Sequence, residues 1–210
     1  MWDKIVDVNK CYLQADPSNE IRNAIKKFAL KNKMEFYDSR AQQGFLRTLM
    51  IRNTLAGEVM VLIQFFEERK NEIELLLNYV REQFPQVSAL LYCINSKGND
   101  SIYDQEIHCF SGKTYNAEWL RHVHSRITAK SFYQTNPKQA GLLYAIAEDF
   151  AQLKPEDTVY DLYTGTGTIA LSLAKDCKKI IGVESVAEAI GAANENASLN
   201  GIKNASFEVG

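Results

Sequence analysis

Apolar and polar positions follow two rhythms along this chain, and the change from one to the other divides it. In "DPSNEIRNAIKKFALKNK", Ile21, Ala24, Ile25, Phe28 and Ala29 recur at helical spacing, with Asp16 as N-cap and Pro17 at the first helical position. "GFLRTLMIRNTLAGEVMVLIQFF" reads as two strands turned back on each other around Ala56-Gly57. "KNEIELLLNYVREQF" puts Ile73, Leu76, Leu77, Val80 and Phe84 on one helical face, and "SALLYCIN" reads as a short buried strand. "EIHCFSGKTY" and "HSRITAKSF" are weaker strand candidates. This first part is predicted to be mixed α and β.

From Thr135 onward strands and helices alternate. Asn136 and Pro137 open a helix carrying Leu143, Ile146, Ala147 and Phe150, which Lys154-Pro155 ends. Strand "DTVYDLY", a glycine turn, helix "TIALSLAKD", strand "KKIIGVE", helix "VAEAIGAANENASLN" and strand "ASFEV" follow. Short connections between alternating elements predict a parallel, doubly wound sheet. The boundary is placed near residue 128, giving segments 1–128 and 129–210. Three parallel strands seldom complete such a sheet, so the chain is expected to be part of a longer protein.

Composition narrows the function without naming it. At 210 residues the chain can bury a full core. No apolar run, Val59 to Ile63 among them, comes near the length needed to cross a membrane. The opening "MWDKIVDVNKC" has charges where a signal peptide needs an apolar core, so a cytoplasmic protein is expected. Net charge is −2, but residues 151–210 carry five Lys/Arg against eight Asp/Glu, leaving the first 150 slightly basic. A nucleic-acid surface would therefore be local. Cys11, Cys93, Cys109 and Cys177 form no Cys-x-x-Cys pair, which argues against a disulfide framework or a zinc site complete within the chain.

The chemistry concentrates in "VYDLYTGTGTIALSLA". A loop that leaves a strand and opens a helix aims free backbone N–H groups into one concavity, and glycine lets a ligand approach that backbone closely. Glu184 closes the next strand, 19 residues after Gly165, where a carboxylate can accept from ribose hydroxyls. The glycines alone also satisfy the dinucleotide pattern, so an NAD-dependent oxidoreductase is an alternative. Against it, Asp161 stands just before the loop, suited to a cationic amino group rather than a pyrophosphate. Asp-x-x-x-Gly-x-Gly followed by that Glu resembles the S-adenosylmethionine site of class I methyltransferases.

Upstream, "AKSFYQTNPKQAGLLYAIAEDF" joined to "VYDLYTGTGTIAL" and "GVESVAEAIGAANENASLNGI" resembles the RNA 5-methyluridine (uracil-C5) methyltransferase family. The resemblance continues through "GFLRTLMIR" and "WDKIVDVNKCYLQADPSNEIRNAI", nearly the whole chain. It implies an α/β central subdomain followed by the first half of a Rossmann-like class I methyltransferase domain. It also implies methyl transfer to C5 of a uridine, in ribosomal more than transfer RNA, with no obligate protein partner. Carried over, Gln134, Tyr163 and Thr168 join Asp161, Gly165, Gly167 and Glu184 around S-adenosylmethionine. The family's nucleophilic cysteine, which adds to C6 of the ring, and its general base lie downstream of the third strand. No catalytic residue is therefore expected in this chain, which alone should be inactive.

The remaining cysteines read mostly as structural. Lys178 and Lys179 could lower the Cys177 pKa, but that thiol stands at the far end of the helix from the glycine loop. Cys93 lies in an apolar strand; Cys109 adjoins His108 without a third partner. In iron–sulfur-bearing members a late cysteine in a context similar to "IVDVNKC" completes the ligand set, which makes Cys11 a candidate fourth ligand. RNA contacts are expected from Arg126, Lys130 and Phe132 in "RHVHSRITAKSFYQTNPK", and from Arg47 in "LRTLMIR". A non-catalytic RNA-binding module is the third alternative.

Overall fold

The computed structural model describes residues 6–210; the first five residues of the charged N-terminal stretch lie outside the described residues. The chain divides into two compact units. One comprises the residues up to Asn53 with Gly57–Asn116, the other Thr54–Ala56 with Ala117–Gly210.

In the first unit, α1 (Ser18–Lys31) and α2 (Lys70–Gln83) accompany a four-stranded sheet of order β1 (Leu46–Asn53), β2 (Val59–Phe65), β3 (Val87–Ile94), β4 (His108–Gly112). β1 and β2 pair antiparallel across the turn at Gly57, as the sequence predicts. β2 and β3 run parallel because α2 carries the chain back between them. All seven residues of β2 are buried. Ile73, Leu76, Leu77 and Val80 of α2 are buried in the same core as Ile21, Ile25, Phe45, Val61 and Phe65. Each such side chain contributes about 1.5–3 kcal/mol through its removal from water. The start of α1 differs from expectation. Pro17 rather than Asp16 holds the N-cap position, and Asp16 instead accepts from the Asn19 amide.

A two-stranded ribbon, β5 (Tyr115–Leu120) and β6 (Val123–Thr128), turned at Arg121 with φ 56°, belongs to the second unit from Ala117 onward. Glu118 faces inward, and its carboxylate accepts from the N–H groups of Leu55 and Trp119, which ties residues 54–56 to this unit. α3 (Pro137–Ala151) starts as predicted, with the Asn136 side chain accepting from the N–H of Gln139. Its seated face is not the expected one. Ala140 and Tyr144 pack with Leu120, whereas Leu143, Ile146 and Phe150 are exposed. A helix that is apolar on more than one side leaves periodicity unable to say which side docks.

The parallel sheet is β7 (Thr158–Leu162), β8 (Lys179–Glu184), β9 (Ala205–Val209), in that order. α4 (Thr168–Leu173), extended by a 3-10 turn over Ala174–Asp176, crosses from β7 to β8, and α5 (Ala187–Leu199) from β8 to β9. Ala170, Leu171, Ala174, Ile180, Ile190, Ala193, Ala197 and Phe207 form the core they share. On the other face of β7, Tyr160 and Leu162 are exposed.

Candidate cofactor loop and RNA-facing strand

Strand register brings the acidic residues to one place. Asp161 lies beside Gly182 in the β7–β8 ladder, and Glu184 is two residues beyond Gly182, on the same face. Both carboxylates therefore stand at the carboxyl ends of parallel strands, where open α/β sheets leave a crevice.

The turn between β7 and α4 is built from left-handed residues. Tyr163, Gly165 and Gly167 have φ of 65°, 56° and 79°. The N–H of Thr164 donates to Val183, extending the ladder by one bond, and the N–H of Gly167 donates back to Thr164. A non-glycine residue in the left-handed region stores strain, and here Tyr163 is also almost wholly exposed. The two glycines serve different ends. A Cβ on Gly167 would stand 3.0 Å from the Phe207 ring and 3.2 Å from Ala193, so its bareness serves packing. A Cβ on Gly165 would meet nothing within 4 Å, so the loop is open to a ligand there.

Glu184 is fixed by the loop it faces. Oε2 accepts from the N–H of Gly165 at 3.2 Å; Oε1 accepts from the N–H of Val186 and the hydroxyl of Ser185, both at 3.1 Å. Val186 first, then Ser185 and Gly165, hold the carboxyl below the ordinary glutamate pKa. Three of about four lone-pair sites are thus engaged. The Ser185 hydroxyl can rotate away, and a ribose diol could then take two.

Asp161 is the half-buried counterpart. Its Oδ2 accepts from the Thr164 hydroxyl at 2.7 Å and from the N–H of Ala170 at 3.2 Å. Burial pushes its pKa up against those two bonds. A cationic ligand group at Oδ1 would offset that desolvation. Thr168 begins α4, its hydroxyl 3.4 Å from that of Tyr144.

Asn196 of α5, fully buried, was not among the sequence candidates. Its Nδ2 donates to the carbonyl of Thr166 in the loop, and its Oδ1 accepts from the N–H of Arg126 in β6. One turn on, Asn200 accepts from the N–H of His124 and donates to its carbonyl. These two amides bond the edge of β6 as a neighbouring strand would. Their spacing of four alongside Ala193 and Ala197 was the available signal, because it places polar side chains on a buried helical face.

A methyltransferase-domain family model matches residues 153–210, the segment from just before β7 through β9. Over its full length the chain is 47% identical to an uncharacterised RNA methyltransferase of Porphyromonas gingivalis, covering 46% of that protein. It is 44% identical to another from Bacteroides thetaiotaomicron, covering 47% of it. The solved tRNA (uracil-54, C5)-methyltransferase of Pyrococcus abyssi, in complex with S-adenosyl-L-homocysteine, superposes on the whole chain with a TM-score of 0.82 at 28% identity, over 50% of that chain. This is a Rossmann-like methyltransferase fold. The chain spans about half the length of the curated relatives it matches.

Within that methyltransferase fold the other sequence candidates scatter. Gln134 is exposed between β6 and α3, and Phe132 beside it is 72% exposed. Tyr133 turns inward, its hydroxyl buried among the described residues without a hydrogen-bond partner, and burial raises its pKa. Arg126 is exposed and Lys130 half-buried. Arg47, in the first unit, donates to the carbonyls of Asn95 and Lys97 and lies over the Tyr37 ring at 4.6 Å, so its guanidinium is engaged within the protein.

The cysteines separate by surroundings. Cys93 is fully buried and Cys109 exposed. Burial pushes the Cys177 thiol up, outweighing any effect of its neighbouring lysines. Cys11 is half-buried, its backbone N–H and carbonyl both bonded to the Asn19 amide. No group of three or more His, Cys, Asp or Glu among the described residues is placed to hold a metal. No helix among them is long and apolar enough to cross a membrane.

Proposed function

We propose that this chain binds S-adenosylmethionine at the Tyr163–Thr168 turn and belongs to an enzyme that methylates C5 of a uridine in RNA. The observation that carries the proposal is the bond between Gly165 and Glu184, which joins an unobstructed glycine loop to a strand-end carboxylate. The cofactor, when bound, supplies an electrophilic methyl group on a sulfonium. Glu184 would accept from the ribose, Asp161 would meet the ammonium, and Tyr163, Thr168 and Gln134 would line the methionine end. The carboxylate of Asp161 suits a cation and would repel a pyrophosphate, which favours this cofactor over a dinucleotide.

Uridine C5 as the target rests on the sequence resemblance and on likeness to the archaeal uracil-C5 enzyme. In that chemistry a thiolate adds to C6, C5 takes the methyl group and loses its proton, and the thiolate leaves. The thiolate and the base are proposed to lie in the part of the longer relatives that this chain does not match. Ribosomal RNA is the expected substrate and transfer RNA the second to assay.

The test uses the intact parent enzyme with RNA tritiated at C5 of uridine. One tritium released to water per methyl transferred is expected. Methylation without tritium release would place the methyl elsewhere.

A further inference from the structure

Burial alternates along the β5–β6 ribbon so that one face is sealed and the other open. Glu118, Leu120, Val123, Ser125 and Ile127 are buried, while Trp119 is 56% exposed, Arg126 exposed and His124 half-buried. The indole of Trp119 and the imidazole of His124 lie parallel, 8° apart in plane with centroids 4.6 Å apart. The strand under them is held rigid by Asn200, bonded to both backbone groups of His124, and by Asn196, bonded to Arg126. Arg126 also borders an open groove of about 500 Å³ whose other wall is Asn194, Glu195, Ser198 and Leu199 of α5. That volume is within the range of small-ligand sites.

We infer that this face receives an unpaired nucleotide of an RNA, its base stacked on Trp119 and its sugar–phosphate in the groove beside Arg126. The inference rests on the RNA-methyltransferase reading above. Charge along the ribbon favours RNA as the occupant: residues 119–130 include Arg126, Lys130 and two histidines and no acidic residue, while Arg121 is paired with Glu148 and the α5 wall of the groove carries Glu195. An open aromatic face backed by a second ring accepts any base by stacking, and only an unpaired base exposes its own face. The same Asn196 amide that holds Arg126 also holds Thr166, so the nucleotide would sit on a strand anchored to the cofactor loop.

The chain has two tryptophans, so Trp2→Phe leaves Trp119 as its only indole reporter. Titrating a single-stranded, uridine-containing oligonucleotide at low salt should quench that fluorescence saturably, and the same sequence as a duplex should quench it less. With a labelled oligonucleotide, Trp119→Ala should weaken binding roughly 5- to 150-fold, while Trp119→Phe keeps most of it. Arg126→Glu should weaken binding and flatten its salt dependence. Because Trp119 is exposed, the Ala variant should melt as the parent chain does.

Absent quenching, or equal affinity for parent chain and Trp119→Ala, overturns the inference. So would self-association through this face without RNA binding, read by sedimentation. Calorimetry with S-adenosylhomocysteine on the same samples separates the two proposals. Cofactor binding with RNA affinity indifferent to Trp119 removes the stacking face alone. Stacking without cofactor binding removes the methyltransferase proposal alone.

Discussion

Phe207 fills the space that a side chain on Gly182 would need: its Cδ1 lies 2.5 Å from the position of a Cβ built there. The same ring crowds Gly167, while Gly165 is open. Gly182→Ala should therefore cost about 1–3 kcal/mol through overpacking, read as a lowered denaturation midpoint without loss of secondary structure. Gly165→Ala should cost about 1 kcal/mol from its positive φ alone, and should weaken cofactor binding more than it weakens the fold.

Asp161 separates folding from binding. Asp161→Ala removes the acceptor for the Thr164 hydroxyl and the N–H of Ala170, and should cost about 1–3 kcal/mol in urea denaturation. Asp161→Asn can keep one carbonyl acceptor there and should cost less. It should still weaken S-adenosylhomocysteine binding, because the charge that would meet the ammonium is gone. Equal affinity in Asn variant and parent would remove Asp161 from the ligand contacts.

Glu148 of α3 pairs with Arg121 and, at 2.7 Å, with Lys175; the lysine first, then the arginine, hold its pKa at about 2, below the ordinary 4.5. A depressed carboxylate stabilises the fold fully above its unfolded pKa and loses that contribution as pH falls through the folded value. The parent chain should thus be more stable than Glu148→Gln at neutral pH. The difference should shrink between about pH 4.5 and 2 in acid-titrated thermal melts.

Asn196 carries two backbone groups at once. Asn196→Ala leaves the Thr166 carbonyl and the Arg126 N–H without it, and should cost about 2 kcal/mol in equilibrium denaturation. Asn196→Asp keeps the shape but sets a carboxylate against the Thr166 carbonyl, so it should fail to rescue stability.

Much of this was legible because periodicity and caps are local. The β1–β2 hairpin, the buried face of α2, the Asn136-Pro137 start of α3 and the β7–β9 alternation all follow from spacing within a few residues. Strand β5 was missed as an element because its alternation is inverted, with Glu118 buried and Trp119 exposed. Asp161 and Glu184 could be nominated from their places at strand ends. The division of labour between Gly165 and Gly167 could not, since it depends on Phe207, forty residues away. The spacing of Asn196 and Asn200 beside Ala193 and Ala197 marks a buried helical face, but the backbone they bond lies in β6, 70 and 76 residues away.

Isothermal calorimetry of the 210-residue chain with S-adenosylhomocysteine tests the cofactor assignment most directly. Saturable binding is expected, weakened roughly 10-fold or more by Glu184→Ala, since a hydrogen bond to a charged group contributes about 1.5–3 kcal/mol. NADH should produce no comparable heat. Preferential binding of NADH, or S-adenosylhomocysteine affinity indifferent to Glu184→Ala, would contradict it.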